Sequence, residues 1–144
     1  VFKIAMILLG LLSYTSGFLS YVYYLQLVFD QSLKSDLGFV ILITLFGFLG
    51  IACPIYVGIV YFVDKKFKKF KLLLYPLACV AIFFIPTLLA LLLWGGISPF
   101  SPEAQNFYFF YLSSGIVFGV GYRIIQKMKL GSFYKSSNVK DFQK

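Results

Sequence analysis

The sequence contains no histidine, and only five of its 144 residues are acidic: Asp30, Asp36, Asp64, Glu103 and Asp141. Histidine is the side chain most often used for general acid–base catalysis. A serine nucleophile needs such a base beside it, so Ser13, Ser16, Ser113 and Ser114 have nothing to activate them. The sequence holds neither an H-E-x-x-H motif nor an aspartate pair within an apolar run. Proton-coupled transport needs an ionisable group at depth in a membrane. The nearest candidate, Arg123, lies about one turn before Lys127 and can snorkel to a surface, so its expected role is topological. Accordingly no catalytic residue and no cofactor is assigned, and an enzyme is not expected.

Charge is scarce as well: 12% of residues are charged and 60% are hydrophobic, against about 25% and 45–50% in a soluble globular domain. A water-soluble fold is excluded on that ground. The two cysteines, Cys53 and Cys79, lie inside apolar runs with no partner at metal-ligand spacing. They read as small packing residues, with no disulfide framework and no metal site. The net charge of +8 could suggest nucleic acid, but the lysines abut hydrophobic runs and no folded basic surface is implied. No nucleic-acid partner is expected.

What the chain does have is four long apolar runs, each near the ~20 residues that a membrane-crossing helix needs. They cover about 2–29, 37–63, 72–94 and 104–127, the last starting at Pro102 or Phe107, and make a transmembrane domain over 1–130 with a polar tail at 131–144. A cleaved signal peptide would need only the apolar core Ile4 to Leu12 and the small residues Ser13 to Gly17. Apolar character continues to Phe29 and no A-x-A pattern appears, so a retained first helix is expected. At the start of the fourth run, Ser101 can cap a helix, Pro102 suits its first position and Glu103 suits its dipole. The fold class is an all-α integral membrane protein, with four transmembrane helices in two antiparallel hairpins forming a small bundle.

If the N-terminus is cytoplasmic, that side collects Lys3, the lysines of the segment Asp64–Lys71, and every basic residue from Arg123 onward. The other side keeps only Lys34. Short loops rich in lysine and arginine stay cytoplasmic, so both termini are expected there, in a plasma or inner membrane. Lys65, Lys66, Lys68, Lys69 and Lys71, interleaved with Phe67 and Phe70, also suit anionic lipid headgroups, although a topology signal alone accounts for them.

Within a bilayer, small residues that let backbones approach take over from the hydrophobic effect in joining helices. Gly10, Ser13, Gly17 and Ser20 follow steps of three and four along the first run and share one face. Gly47, Gly50, Pro54 and Gly58 do so in the second, and Gly115 and Gly119 form a G-x-x-x-G pair in the fourth. These are expected helix-packing positions, within one chain or between copies. Pro54 and Pro86 each remove a helical hydrogen bond, freeing the carbonyls of Gly50 and Ile82 near mid-depth. Broken helices at that depth coordinate ions in some transporters, so Gly50, Pro54, Ile82 and Pro86, with Tyr14, Thr15 and Ser16, form a candidate ligand or ion path. Paired kinks are the simpler account. The expected function is a non-catalytic binding, accessory, immunity-type or regulatory subunit of a membrane complex, bound to another membrane protein or to itself. The alternative is an oligomeric carrier or channel for a small solute or ion.

Overall fold

The computed structural model describes residues 2–30, 37–67, 69–94 and 98–128. Lys68, the tail at 131–144 and most of the polar loop at 30–36 lie outside the described residues. The described chain is helical throughout, with α1 at Phe2–Phe29, α2 at Leu37–Gly47, a π-helical turn at Phe48–Ala52, α3 at Cys53–Lys66, α4 at Lys71–Trp94 and α5 at Pro102–Lys127. α2, the π-turn and α3 are continuous, which gives four helices long and apolar enough to cross a membrane.

Local chemistry explains the element ends. The Ser101 hydroxyl accepts the backbone N–H of Ala104 at 3.3 Å, Pro102 occupies the first turn and Glu103 lies beside it, so an unpaired donor and the dipole at the start of α5 are both met. The π-turn stands immediately before Pro54. In a regular α-helix the proline ring would strike the carbonyl four residues back; here the Cys53 N–H reaches five residues back to Phe48 O instead, and the wider turn lets the helix run on. Pro76 and Pro86 lie inside α4 without ending it. Between α3 and α4 the chain reverses through Phe70, a non-glycine residue at φ 57°. Its carbonyl accepts from both Leu73 and Leu74 at 3.1 Å.

α5 is the central helix, packed along α1 on one side and α4 on the other, while α3 lies against α4. Contacts such as Ser13 with Ser114, Phe83 with Tyr111 and Asp64 with Lys71 make each of these pairs antiparallel. The arrangement differs from two consecutive hairpins, because α1 takes the last helix as its main neighbour and barely touches α2. The reason lies in the surfaces. α1 and α5 each offer a row of small residues that permits close approach, whereas α2, LGFVILITLFG, is bulky between Gly38 and Gly47 and buries no residue.

The interior is filled by aromatic rings. Tyr56, Tyr75 and Phe118 are fully buried, and Tyr56 lies 5.0 Å from Phe118, 5.2 Å from Phe83 and 5.9 Å from Phe48 between ring centroids. Edge and tilted contacts at these distances are the favourable geometries for aromatic pairs. The antiparallel pairings bring the start of α1, the α3–α4 turn and the end of α5 to one end. Lys3, Lys65, Lys66, Lys69, Lys71, Arg123 and Lys127, every basic residue among the described ones, therefore gather there. Asp30 and Glu103 stand at the other.

Candidate functional site

Two polar constellations interrupt this apolar body. The first is a hydroxyl seam between α1 and α5. Ser13 Oγ donates to Ser114 O at 2.6 Å, Ser16 Oγ meets Ser113 Oγ at 2.6 Å, and Ser113 Oγ reaches Ser16 O at 3.2 Å. Each hydroxyl has one proton. Ser113 spends its own on the Ser16 carbonyl, so Ser16 is the donor to Ser113. By the same reasoning Ser114 Oγ donates to Tyr111 O at 3.3 Å, and Tyr56 OH donates to Ser114 Oγ at 3.0 Å. Toward the acidic end the seam closes with Tyr24 OH on Gln105 Oε1 at 2.6 Å. These hydroxyls satisfy one another, and none is left beside a base.

Of the expected packing residues in α1, Ser13 and Gly17 face α5. A Cβ on Gly17 would lie 3.1 Å from both Phe110 O and Ser114 Cβ. Gly10 is buried too but turns toward the second helix, where a Cβ would meet Cys53 Sγ at 2.6 Å. Ser20 is half-buried. In α5, Gly115 and Gly119 are seated on the backbone of α4: a Cβ on Gly115 would lie 2.9 Å from Val80 N, and one on Gly119 would overlap Pro76. The second helix corrects the expectation of a groove within the chain. Among the described residues Gly47, Gly50 and Gly58 have nothing within 4 Å of a Cβ, and with Pro54 they stand on the outer surface. Their stripe turns away from α1, α4 and α5, because the opposite face of this helix, with Phe48, Ala52, Tyr56, Val60 and Val63, is the one buried.

Gly17→Leu is expected to force α1 from α5 against rigid backbone, a cost of ~1–3 kcal/mol or more, and to lower the folded fraction on gel filtration. Thr15→Leu, at an exposed position on the far side of α1, should leave that fraction unchanged. Equal tolerance of both would contradict the packing.

The residues of the candidate ion path do not converge. Gly50, Pro54 and Pro86 lie on the outside and Ile82 is half-buried. Beside Pro86, Thr87 Oγ1 donates to Phe83 O at 2.7 Å, one residue along from the Ile82 carbonyl that the proline frees. Tyr14, Thr15 and Ser16 also part company, since consecutive helical residues point about 100° apart. Tyr14 OH pairs with Thr44 Oγ1 at 2.8 Å and donates toward Ile41 O at 3.2 Å, Thr15 Oγ1 bonds its own helix at Leu12 O at 2.9 Å, and Ser16 belongs to the seam.

The second constellation occupies the basic end. Asp64 pairs with Lys71 across the turn between α3 and α4, and Tyr75 OH lies 3.0 Å from Asp64 Oδ1 and 3.1 Å from Gln126 Oε1. Arg123 Nη1 donates to the same Gln126 oxygen at 3.3 Å. Three helices are thus tied at one end by a charged and polar knot. Composition does not foretell the knot, because Asp64 and Lys71 look like one loop of mixed charge. The usable signal was their position on either side of a helix reversal. Lys65, Lys66 and Lys69 are exposed around the knot. Among the described residues no group of three histidine, cysteine, aspartate or glutamate side chains could hold a metal ion, and Cys53 and Cys79 are free thiols.

Over the described residues the chain is helical, with four helices of membrane-crossing length and composition joined by the hydroxyl seam and the basic knot. Asn106 Oδ1, Tyr108 OH and Arg123 Nε are buried without a hydrogen-bond partner among those residues. Comparison with models of known protein families, with curated proteins and with solved structures finds no match.

Proposed function

We propose that the chain is an integral membrane protein of four spans whose work is binding: a non-catalytic accessory or regulatory subunit of a membrane complex. The observation that carries this reading is the outer stripe of Gly47, Gly50, Pro54 and Gly58, which the described residues of the chain leave uncovered. Small residues of this kind are what helices use to bring backbones together in lipid, as Gly115 and Gly119 do against α4. Support for the membrane comes from the outer surface, where Leu12, Leu19, Phe39, Phe46, Leu73 and Leu93 are each more than half exposed. An apolar surface of that extent is costly in water.

The clustering of the described basic residues at one end supports an orientation with that end in the cytoplasm. Reporters fused after Lys71 and at Phe100 should accordingly report opposite sides, the first cytoplasmic. A cytoplasmic reporter at Phe100 would reverse the topology.

The binding role is tested by mild detergent extraction and identification of the proteins that stay bound. A double variant, Gly50→Leu with Gly58→Leu, should fold as well as the wild type and lose those partners. Retention of every partner by the folded variant would defeat the reading. Liposomes containing the purified chain alone should show no ion or solute flux, and a flux there would turn the assignment toward transport.

A further inference from the structure

Between α4 and α5, on the outer side, runs an open groove of about 410 Å³. Its origin is the close seating of Gly115 and Gly119 on the α4 backbone. With the two helix axes drawn together, the side chains beside the contact rise as walls, Leu73, Leu77 and Ile85 from α4 and Leu112 and Ile116 from α5, over a floor that includes Ala81. The groove is almost wholly apolar. From Leu73 to Ile85 it follows twelve residues of helix, ~18 Å, against ~15 Å for the hydrocarbon of one leaflet.

One end of the groove is cationic. Arg123 continues the line of Leu112 and Ile116 by helical spacing, and the antiparallel register that sets Gly119 on Pro76 places it level with the start of α4. A guanidinium has five N–H donors. Among the described residues a single hydrogen bond is made, to the neutral amide of Gln126, and Nε is covered with no acceptor there. Asp64, the carboxylate at this end among the described residues, is engaged by Lys71 and Tyr75. Among the described residues Arg123 therefore has a charge without a counter-charge and donors without acceptors, and it lies beyond one end of an apolar groove about one leaflet long.

We propose that this groove is a binding site for one anionic phospholipid, with an acyl chain along α4 and α5 and its phosphate on the Arg123 guanidinium. Arginine suits the phosphate because its planar fork can give two parallel hydrogen bonds. The site rests on the membrane reading above, and goes beyond it in naming a stoichiometric lipid and the residue that selects it.

The test is native mass spectrometry of the purified chain from detergent micelles containing phosphatidylglycerol and phosphatidylcholine with identical acyl chains. The wild type should retain one phosphatidylglycerol in preference to phosphatidylcholine. Arg123→Gln should weaken that retention about tenfold, equivalent to about 1.4 kcal/mol. Ala81→Phe, which fills the floor, should reduce retention of both lipids, and Lys3→Gln, an exposed lysine at the same end but on α1 and off the groove, should change nothing. Equal retention of the two lipids, an Arg123→Gln variant that keeps its preference, or an Ala81→Phe variant that keeps its lipid would each overturn the site. So would displacement of the lipid by inorganic phosphate, which would mark a free-anion site, or Ala81→Phe abolishing a dimer, which would mark a second copy as the occupant. Ala81→Phe does not disturb the knot at Gln126, so it decides the matter even if Arg123→Gln fails to fold. A chain recovered in the soluble fraction without detergent would sink the membrane reading itself, whereas a detergent-dependent chain with no lipid preference sinks only this site.

Discussion

Replacing Gly119 by leucine is expected to abolish the folded chain, the largest effect of any single substitution proposed here. A Cβ at this position would overlap Pro76 N and Cα and lie 2.7 Å from Tyr75 C. These are backbone atoms in a helix, and no rotamer change moves them. The helices would have to separate along the whole contact that also seats Gly115 on Val80 and Cys79. Overpacking in a close-packed core costs ~1–3 kcal/mol and occasionally more, and total stabilities are only ~5–15 kcal/mol. Gly119→Ala should show the lower figure as a fall in melting temperature, and Gly119→Leu should leave little monodisperse protein on gel filtration. Gly58→Leu is the control, because nothing lies within 4 Å of its Cβ. If Gly119→Leu folds as well as Gly58→Leu, α4 and α5 do not meet as described.

The second large effect belongs to Tyr56. Its ring is fully buried among Phe48, Phe83 and Phe118, and its hydroxyl serves Ser114. Tyr56→Ala removes a ring from the centre of the bundle, for which ~3–5 kcal/mol is the usual loss in a core that relaxes only in part. Tyr56→Phe deletes one hydrogen bond and should cost only ~1 kcal/mol. Ser114 can still donate to the Tyr111 carbonyl, so no donor is stranded. Thermal denaturation in detergent separates the two. Comparable losses from both variants would mean that the hydroxyl, not the ring, organises this region.

The helices themselves are legible in the sequence because they depend on runs of one kind of residue, and the start of α5 because Ser101, Pro102 and Glu103 announce it within three positions. Pairing is harder to read. Steps of three and four place Gly47, Gly50, Pro54 and Gly58 on one face, but the same spacing suits a face turned inward or outward. Only the bulk of Phe48, Tyr56 and Val60 on the opposite side decides that they point out. Serines are equally ambiguous: Ser113 and Ser114 stand out in sequence as nucleophiles without a base, and their real partners are Ser16 and Ser13, nearly a hundred residues away. Tyr14, Thr15 and Ser16 fail as a group for a geometric reason, since adjacency in a helix separates side chains. The prolines misled through their neighbourhood. Pro54 alone implies a broken α-helix, whereas the π-turn before it shifts the hydrogen-bond register and lets the helix continue.

The pairing of α1 with α5 has a consequence for synthesis. A chain emerging from the ribosome makes α1 long before α5, and α1 finds its principal partner only when α5 appears. Until then Ser13 and Ser16 lack the acceptors that they use in the finished fold, and Gly17 has no Phe110 to lie against. α4 and α5, joined by a short connection, can dock as soon as both exist, so among these helices the late event of assembly is the return of α1 to α5. Any product cut short before Pro102 would keep a helix whose polar row lacks its α5 partners, a feature by which quality control can recognise it.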